Sequence, residues 1–212
     1  MNQSSSLSNV KNLDLGMMND HIKNILVTIS QNPITNVVAG TGTGKTTKLP
    51  IGIAEAGNRV VVVVSDESIA FSLSEYVSKT TDETVSNNLL GPESIKYISE
   101  SKLKDYIYKL IQDNKCLDLD FADILMIDQA NRGSMDQYLV ISLWKYCAAN
   151  HGKIPRMLLV SNTPIVLNNL DISYYKIENN YYPTEIRYNS VDYPININNN
   201  NKILEDVSKL VS

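Results

Sequence analysis

Cysteine is nearly missing. The 212 residues contain only two, Cys116 and Cys147, one at a predicted helix end and one inside a predicted helix, with no metal-ligand spacing around either. That argues against a disulfide framework or a cysteine-built metal site, and for free thiols in a reducing compartment. A basic surplus is missing too. The formal net charge is −4, so no broad cationic surface is on offer to nucleic acid, and any polynucleotide contact must be local. Nor is there an apolar run of membrane-spanning length or the pattern of a secretory signal. What is left is a chain long enough for one α/β domain with a sizeable core, or for that domain and the start of another, and the second reading is preferred.

The stretch that organises the rest is a glycine-rich turn, Ala39-Gly40-Thr41-Gly42-Thr43-Gly44-Lys45-Thr46-Thr47. It follows a β-prone run, 33–38, and precedes a segment with helical spacing, Lys45 to Ala56. Glycines between a strand and a helix let the backbone approach a ligand closely, and successive N–H groups of Gly42, Thr43, Gly44 and Lys45 can cradle a phosphate at the positive end of the helix. In this pattern Lys45 reaches the β- and γ-phosphates, and the Thr46 hydroxyl ligates Mg²⁺. Ala39 stands where the pattern usually begins with glycine. The bland alternative, a turn with a solvated lysine, fits less well once the strand, the helix and a downstream acid are in place.

The remaining pattern alternates strands with helices. Residues 1 to about 14 are rich in Ser and Asn without a period, and are expected to be disordered. Met18, Ile22, Ile25, Leu26 and Ile29 predict a helix ending before Pro33, with His21 an exposed residue on it. Val60 to Val64 is a β-branched run without polar alternation, the mark of a strand buried on both faces of a parallel sheet. Ser65-Asp66-Glu67-Ser68 caps the following helix. Further strands are predicted at 94–98, 122–128 and 156–160, and helices at 102–112 and from Ser134, where Ser134-Met135-Asp136-Gln137 reads as a capping box, to about Ala149. The fold class is therefore α/β, a doubly wound, mostly parallel sheet with helices on both faces and ligands at the carboxyl ends of its strands. Past Pro164 come short Tyr- and Asn-rich strands, 172–177 and 184–188, an Asn spacer and a last helix, 202–210. Tyr174, Tyr175, Tyr181 and Tyr182 are read as covering sheet edges rather than as a base-stacking platform.

A phosphate-loop nucleoside triphosphatase also needs an acid at the end of a neighbouring strand, and a group that activates the attacking water. Asp128, after four apolar residues and before a polar turn, fits the first role, and Gln129 occupies the position of the second. Together the loop 39–50, the segment Ile127-Asp128-Gln129-Ala130-Asn131 with Ser134 and Asp136 after it, and Ser161-Asn162-Thr163 resemble motifs I, II and III of DEAH-box (superfamily two, DExH-type) RNA helicases, a group with viral members. Residues 95–99 resemble the family's nucleic-acid-facing strand, and 183–188 its passage into a second domain. The resemblance implies a RecA-like P-loop domain at 17–170, a tail at 1–16, and a border segment at 171–212 leading toward a second RecA-like domain that these residues do not contain. It implies ATP or ADP bound with Mg²⁺ by residues 39–47, metal contacts from Thr46 and Asp128, and catalytic positions at Lys45 and Gln129. It also implies a cytoplasmic location, in the host cytoplasm or virion for a viral source.

The departures carry as much information. The family's Asp-Glu-Ala-His is here Asp-Gln-Ala-Asn, so an amide replaces the catalytic carboxylate at Gln129 and another replaces the imidazole at Asn131. Asp66-Glu67 stand where the family has a Pro-Arg pair near the phosphodiester, and Asn162 replaces the alanine of motif III. An engineered trapping substitution would alter Gln129 alone; departures at several motifs favour natural divergence. Two readings follow. One is the motor domain of a DEAH-like RNA helicase with impaired hydrolysis, binding single-stranded RNA weakly on its own; the other is a degenerate, non-catalytic module that holds nucleotide or a protein partner.

Overall fold

The computed structural model describes residues 16–113, 119–150, 152–167 and 170–177. The N-terminal tail, Cys116, Tyr181, Tyr182, the predicted strand at 184–188, the Asn spacer and the last predicted helix lie outside the described residues.

The chain begins with α1 (Gly16–Gln31), which presents Met18, Ile25 and Ile29 to the core at helical spacing and stops short of Pro33. It then runs through β1 (Ile34–Val38), α2 (Lys48–Glu55), β2 (Val60–Val64), α3 (Glu67–Ser78), β3 (Val85–Ser86), β4 (Ile95–Ser99), α4 (Glu100–Gln112), β5 (Ile124–Ile127), α5 (Met135–Ala149), β6 (Arg156–Ser161) and β7 (Ser173–Lys176). The strands lie in the order β3-β4-β2-β5-β6-β1-β7, and every pair is parallel. Parallel neighbours need crossovers, and the crossover helices cover both faces. Val60, Val62 and Val64 share one core cluster with residues of α1, α2 and α3, while Val61 and Val63 join Leu103 and Ile107 of α4 and Val140 and Trp144 of α5 in another. Burial on both faces is why β2 reads as unbroken valine.

Four details differ from the sequence reading. The helix expected from Lys45 begins at Lys48. The N–H groups of Thr47, Lys48 and Leu49 all converge on the carbonyl of Gly44, and Pro50 has no N–H to give the carbonyl of Thr46, so the regular ladder starts late. The sheet also continues past the boundary expected at 170: β7 pairs with β1 as an edge strand, its residues alternately half-buried and exposed between buried Ile172 and Ile177. Tyr175 reaches His21 on α1 at 2.8 Å, and the Tyr174 hydroxyl donates to the Ile165 carbonyl, so both tyrosines serve that edge. Two-residue β3 is a strand that the sequence pattern did not predict. Finally, β6 stands between β1 and β5, so the strand that leads into Asp128 is two places from the strand that leads into the glycine-rich turn.

Candidate functional site

The glycine-rich turn leaves the carboxyl end of β1 and returns into α2, with Gly42 at φ 78° and Gly44 at φ 87°. Those left-handed values cost any residue with a Cβ, which explains glycine at both positions. Ala39 is buried and its N–H donates to the Ser161 carbonyl at 3.0 Å, fixing the loop's start to the end of β6. The Thr43 hydroxyl closes the loop onto the Gly40 carbonyl at 2.9 Å. Lys45 turns its ammonium inward, donating to the Ala39 carbonyl at 2.8 Å and to that of Gly40. Burial pulls its pKa down, and the charge of Asp128 opposes that shift.

The Thr46 carbonyl that Pro50 leaves without a helical donor is taken by the Tyr97 hydroxyl at 2.9 Å. Tyr97 is fully buried, and that burial raises its pKa. It thus ties β4 to the residue whose own side chain faces the acid: the Thr46 hydroxyl donates to Asp128 Oδ2 at 2.9 Å. Asp128 directly follows β5 and is 6 % exposed. Burial raises its pKa, with the Thr46 hydroxyl, the Gln129 N–H and the Lys45 charge pulling the other way. Among the described residues no cluster of three or more His, Cys, Asp or Glu could cage a metal. A hydroxyl and a carboxylate in contact, both hard oxygen donors, nonetheless suit Mg²⁺, which keeps most of its water and substrate oxygens and needs few ligands from the protein.

After Asp128 the chain turns sharply. Gln129 is the one non-glycine with positive φ among the described residues (48°), and it leads into a short 3-10 turn, Ala130–Arg132. The turn is braced from α5. Gln137 is buried, and its amide nitrogen lies 3.3 Å from the carbonyls of both Asp128 and Gln129, while its amide oxygen accepts from the Gly133 N–H. The capping box is therefore half present: Ser134 accepts from the Gln137 N–H, but the Gln137 side chain goes to the turn instead of returning to Ser134. The Gln129 side chain is left exposed. On the far side, buried Asn36 of β1 donates to the Leu159 carbonyl and the Ser161 hydroxyl and accepts from the Ile165 N–H, holding the loop that presents Asn162. Asn162 lies 3.5 Å from the Thr41 hydroxyl.

These parts border one cleft of about 550 Å³, lined by the glycine-rich loop, Asp128, Gln129, Asn131, Arg132 and Asn162. Of the residues expected to bind ligand, Thr41, Gly42, Gly44, Lys45, Thr46 and Thr47 line it; Ala39, Gly40 and Thr43 support it from within the loop. Sequence reasoning did not find Tyr76, Tyr97, Arg132, Gln137 or Asn36. Tyr76, near the end of α3, lines the cleft and is 59 % exposed. At the neighbouring strand ends, Asp66 caps α3 by accepting from the Ile69 N–H, and Ser99 caps α4 and is buried. Lys102 is paired with Glu67 at 3.4 Å.

No family model matches the sequence, and no curated protein matches it. Solved structures do match. Among them is a crystal structure of the Escherichia coli DEAH/RHA helicase HrpB, with a TM-score of 0.62 and 15 % identity, covering 74 % of this chain and 22 % of that one. The chain thus spans about a fifth of that helicase's length. At this identity the likeness establishes the fold: an α/β, RecA-like domain with an all-parallel sheet, of the kind present in that helicase.

Proposed function

We propose that this chain is a Mg-ATP-binding domain of the type that drives DEAH-like RNA helicases, with hydrolysis impaired by Gln129. The carrying observation is the contact of the Thr46 hydroxyl with Asp128, 82 positions away, beside Lys45 and a glycine loop at one cleft. A glycine turn alone could be structural; an acid brought to its threonine from two strands away is the other half of a phosphate-and-metal site. In this reading the loop N–H groups hold the β-phosphate, and Lys45 exchanges two carbonyls for phosphate oxygens. Thr46 and Asp128, already in contact, would hold Mg²⁺. The metal would supply neutralisation of phosphate charge. The exposed Tyr76 ring offers a flat surface at the cleft's edge for the nucleobase. Gln129 orients a water but takes no proton from it, and loss of a general base costs about 10²- to 10⁴-fold.

Asp128 supplies the test of the metal assignment. Asp128→Asn is expected to weaken nucleotide binding in the presence of Mg²⁺ and to leave it unchanged in EDTA; equal loss in both, by isothermal calorimetry, would point to a folding role. The same substitution removes a buried charge whose folded-state pKa lies above its unfolded value. Such a group's favourable contribution is present below the unfolded pKa and is lost as pH rises through the folded one. At neutral pH the nucleotide-free variant should therefore melt above the wild type, by roughly 2–4 °C if about 1 kcal/mol is recovered. The gap should narrow as the pH falls.

RNA contact belongs to this proposal in a weak form. Near the strand ends, Ser99 is buried in a cap, Lys102 is engaged with Glu67, and Asp66 and Glu67 add negative charge. An anisotropy titration with labelled single-stranded RNA at physiological salt should show no submicromolar binding, and a submicromolar Kd would contradict the reading. The second reading, a non-catalytic module with a protein or second-domain partner, draws on exposed apolar groups beside Asn131 and the start of α5: Met135 is 74 % exposed and Val166 80 %. Measured hydrolysis separates the two. Among the described residues no helix is long and apolar enough to cross a membrane, and a cytoplasmic or virion location stays within the proposal.

A further inference from the structure

Arg132 follows Asp128 by four residues and stands between two cavities. It lines the nucleotide cleft with Lys45 and Gln129, and it also lines a neighbouring cavity of about 270 Å³ with Thr46, Ser65 and Glu100. Its side chain is 41 % exposed, whereas that of Glu100, the first residue of α4, is 3 % exposed. Both hydrogen bonds between them use one nitrogen: Nη2 donates to Oε1 and to Oε2, each at 3.0 Å. The Ser134 hydroxyl supplies a further donor to Glu100 Oε2. Nε and Nη1 of Arg132 have no partner among the described residues. A pair built only for anchorage gains most from fork-to-fork contact through two guanidinium nitrogens. Here the carboxylate fixes the plane of the guanidinium by one corner, and two donors on an always-charged group remain for another acceptor. The cleft they border already holds the lysine, hydroxyl and acid of a phosphate site.

We propose that Arg132, positioned by Glu100, contacts the terminal phosphate of a bound nucleoside triphosphate and makes the cleft favour a triphosphate over a diphosphate. This rests on the nucleotide-binding reading above. Glu100 is a positioning residue: it carries no contact to nucleotide, and its removal lets the guanidinium swing. Calorimetric titrations with Mg-ADP and with a non-hydrolysable Mg-ATP analogue test it on the wild type, Arg132→Gln, Glu100→Gln, and the double variant Arg132→Ala with Glu100→Gln. The double variant leaves no buried carboxylate without its cation, so the question stays answerable if a single variant fails to fold. Arg132→Gln and the double variant should lose roughly ten- to a hundredfold in analogue affinity, the worth of a charge-assisted contact, with ADP affinity unchanged. Glu100→Gln should lose a smaller part of the same preference. Unchanged analogue affinity in Arg132→Gln, or equal losses for both nucleotides, overturns the assignment while the nucleotide site stands. A wild type that binds neither nucleotide removes the nucleotide reading and this assignment with it.

Discussion

Replacing Lys45 with alanine is expected to reduce Mg-ATP and Mg-ADP affinity by about a hundredfold or more, the loss of charged hydrogen bonds to two phosphates. Lys45 is half-buried inside the loop, and its ammonium already satisfies the carbonyls of Ala39 and Gly40. A nucleotide would replace those neutral acceptors with anionic ones in the same place, so the gain on binding is large and local. The substitution also strips the two carbonyls of their donor, which could loosen the loop for reasons unrelated to phosphate. Two controls separate the effects: the melting temperature of the nucleotide-free variant, and Lys48→Ala, which alters a second lysine on the same cleft. Lys48→Ala should keep most of the affinity. Unchanged binding in Lys45→Ala, measured by calorimetry, would remove the phosphate-loop assignment.

The second large effect is a gain. Gln129→Glu should raise the single-turnover rate of ATP hydrolysis by about 10²- to 10⁴-fold over the wild type, the worth of a general base. The exchange is isosteric, and the backbone there is held independently of the side chain: the carbonyls of Asp128 and Gln129 are braced by Gln137, and the left-handed φ of 48° is paid in either variant. The restored rate on these residues alone should still fall short of a two-domain motor, in which an arginine finger from the second domain contributes about 10³- to 10⁵-fold. Adding Asn131→His should alter the response to RNA more than the basal rate. No gain in Gln129→Glu, or strong wild-type turnover abolished by Lys45→Ala, would show that the proton goes to another group.

The glycine-rich loop was legible because its conformational requirements are local. Two left-handed glycines and the lysine and threonine that follow are adjacent in the chain, and the strand before them has its own composition. Asp128 was legible for a similar reason, as the first polar residue after a buried strand. The supports were not. Tyr97 looks like an ordinary strand residue until the fold sets it under the one carbonyl that Pro50 cannot serve. Gln137 fits a capping box so well that its longer-range role in bracing Gln129 leaves no trace in the spacing. Glu100 and Arg132 are 32 positions apart and meet only because β4 and β5 flank β2 in the sheet. β7 was set apart from the domain because an edge strand, open on one side, carries polar and aromatic residues in place of the valine and isoleucine of the sheet centre.

The proposed cleft binds Mg-ATP and turns it over very slowly or not at all. The most direct measurement is to saturate the wild-type chain with Mg-ATP, remove free nucleotide by rapid gel filtration, and identify the protein-bound nucleotide by chromatography after timed incubation. The expected result is nucleotide retained in proportion to protein and recovered as intact ATP over times at which active enzymes of this class complete many turnovers. Recovery as ADP, or no nucleotide retained with the protein, would contradict it.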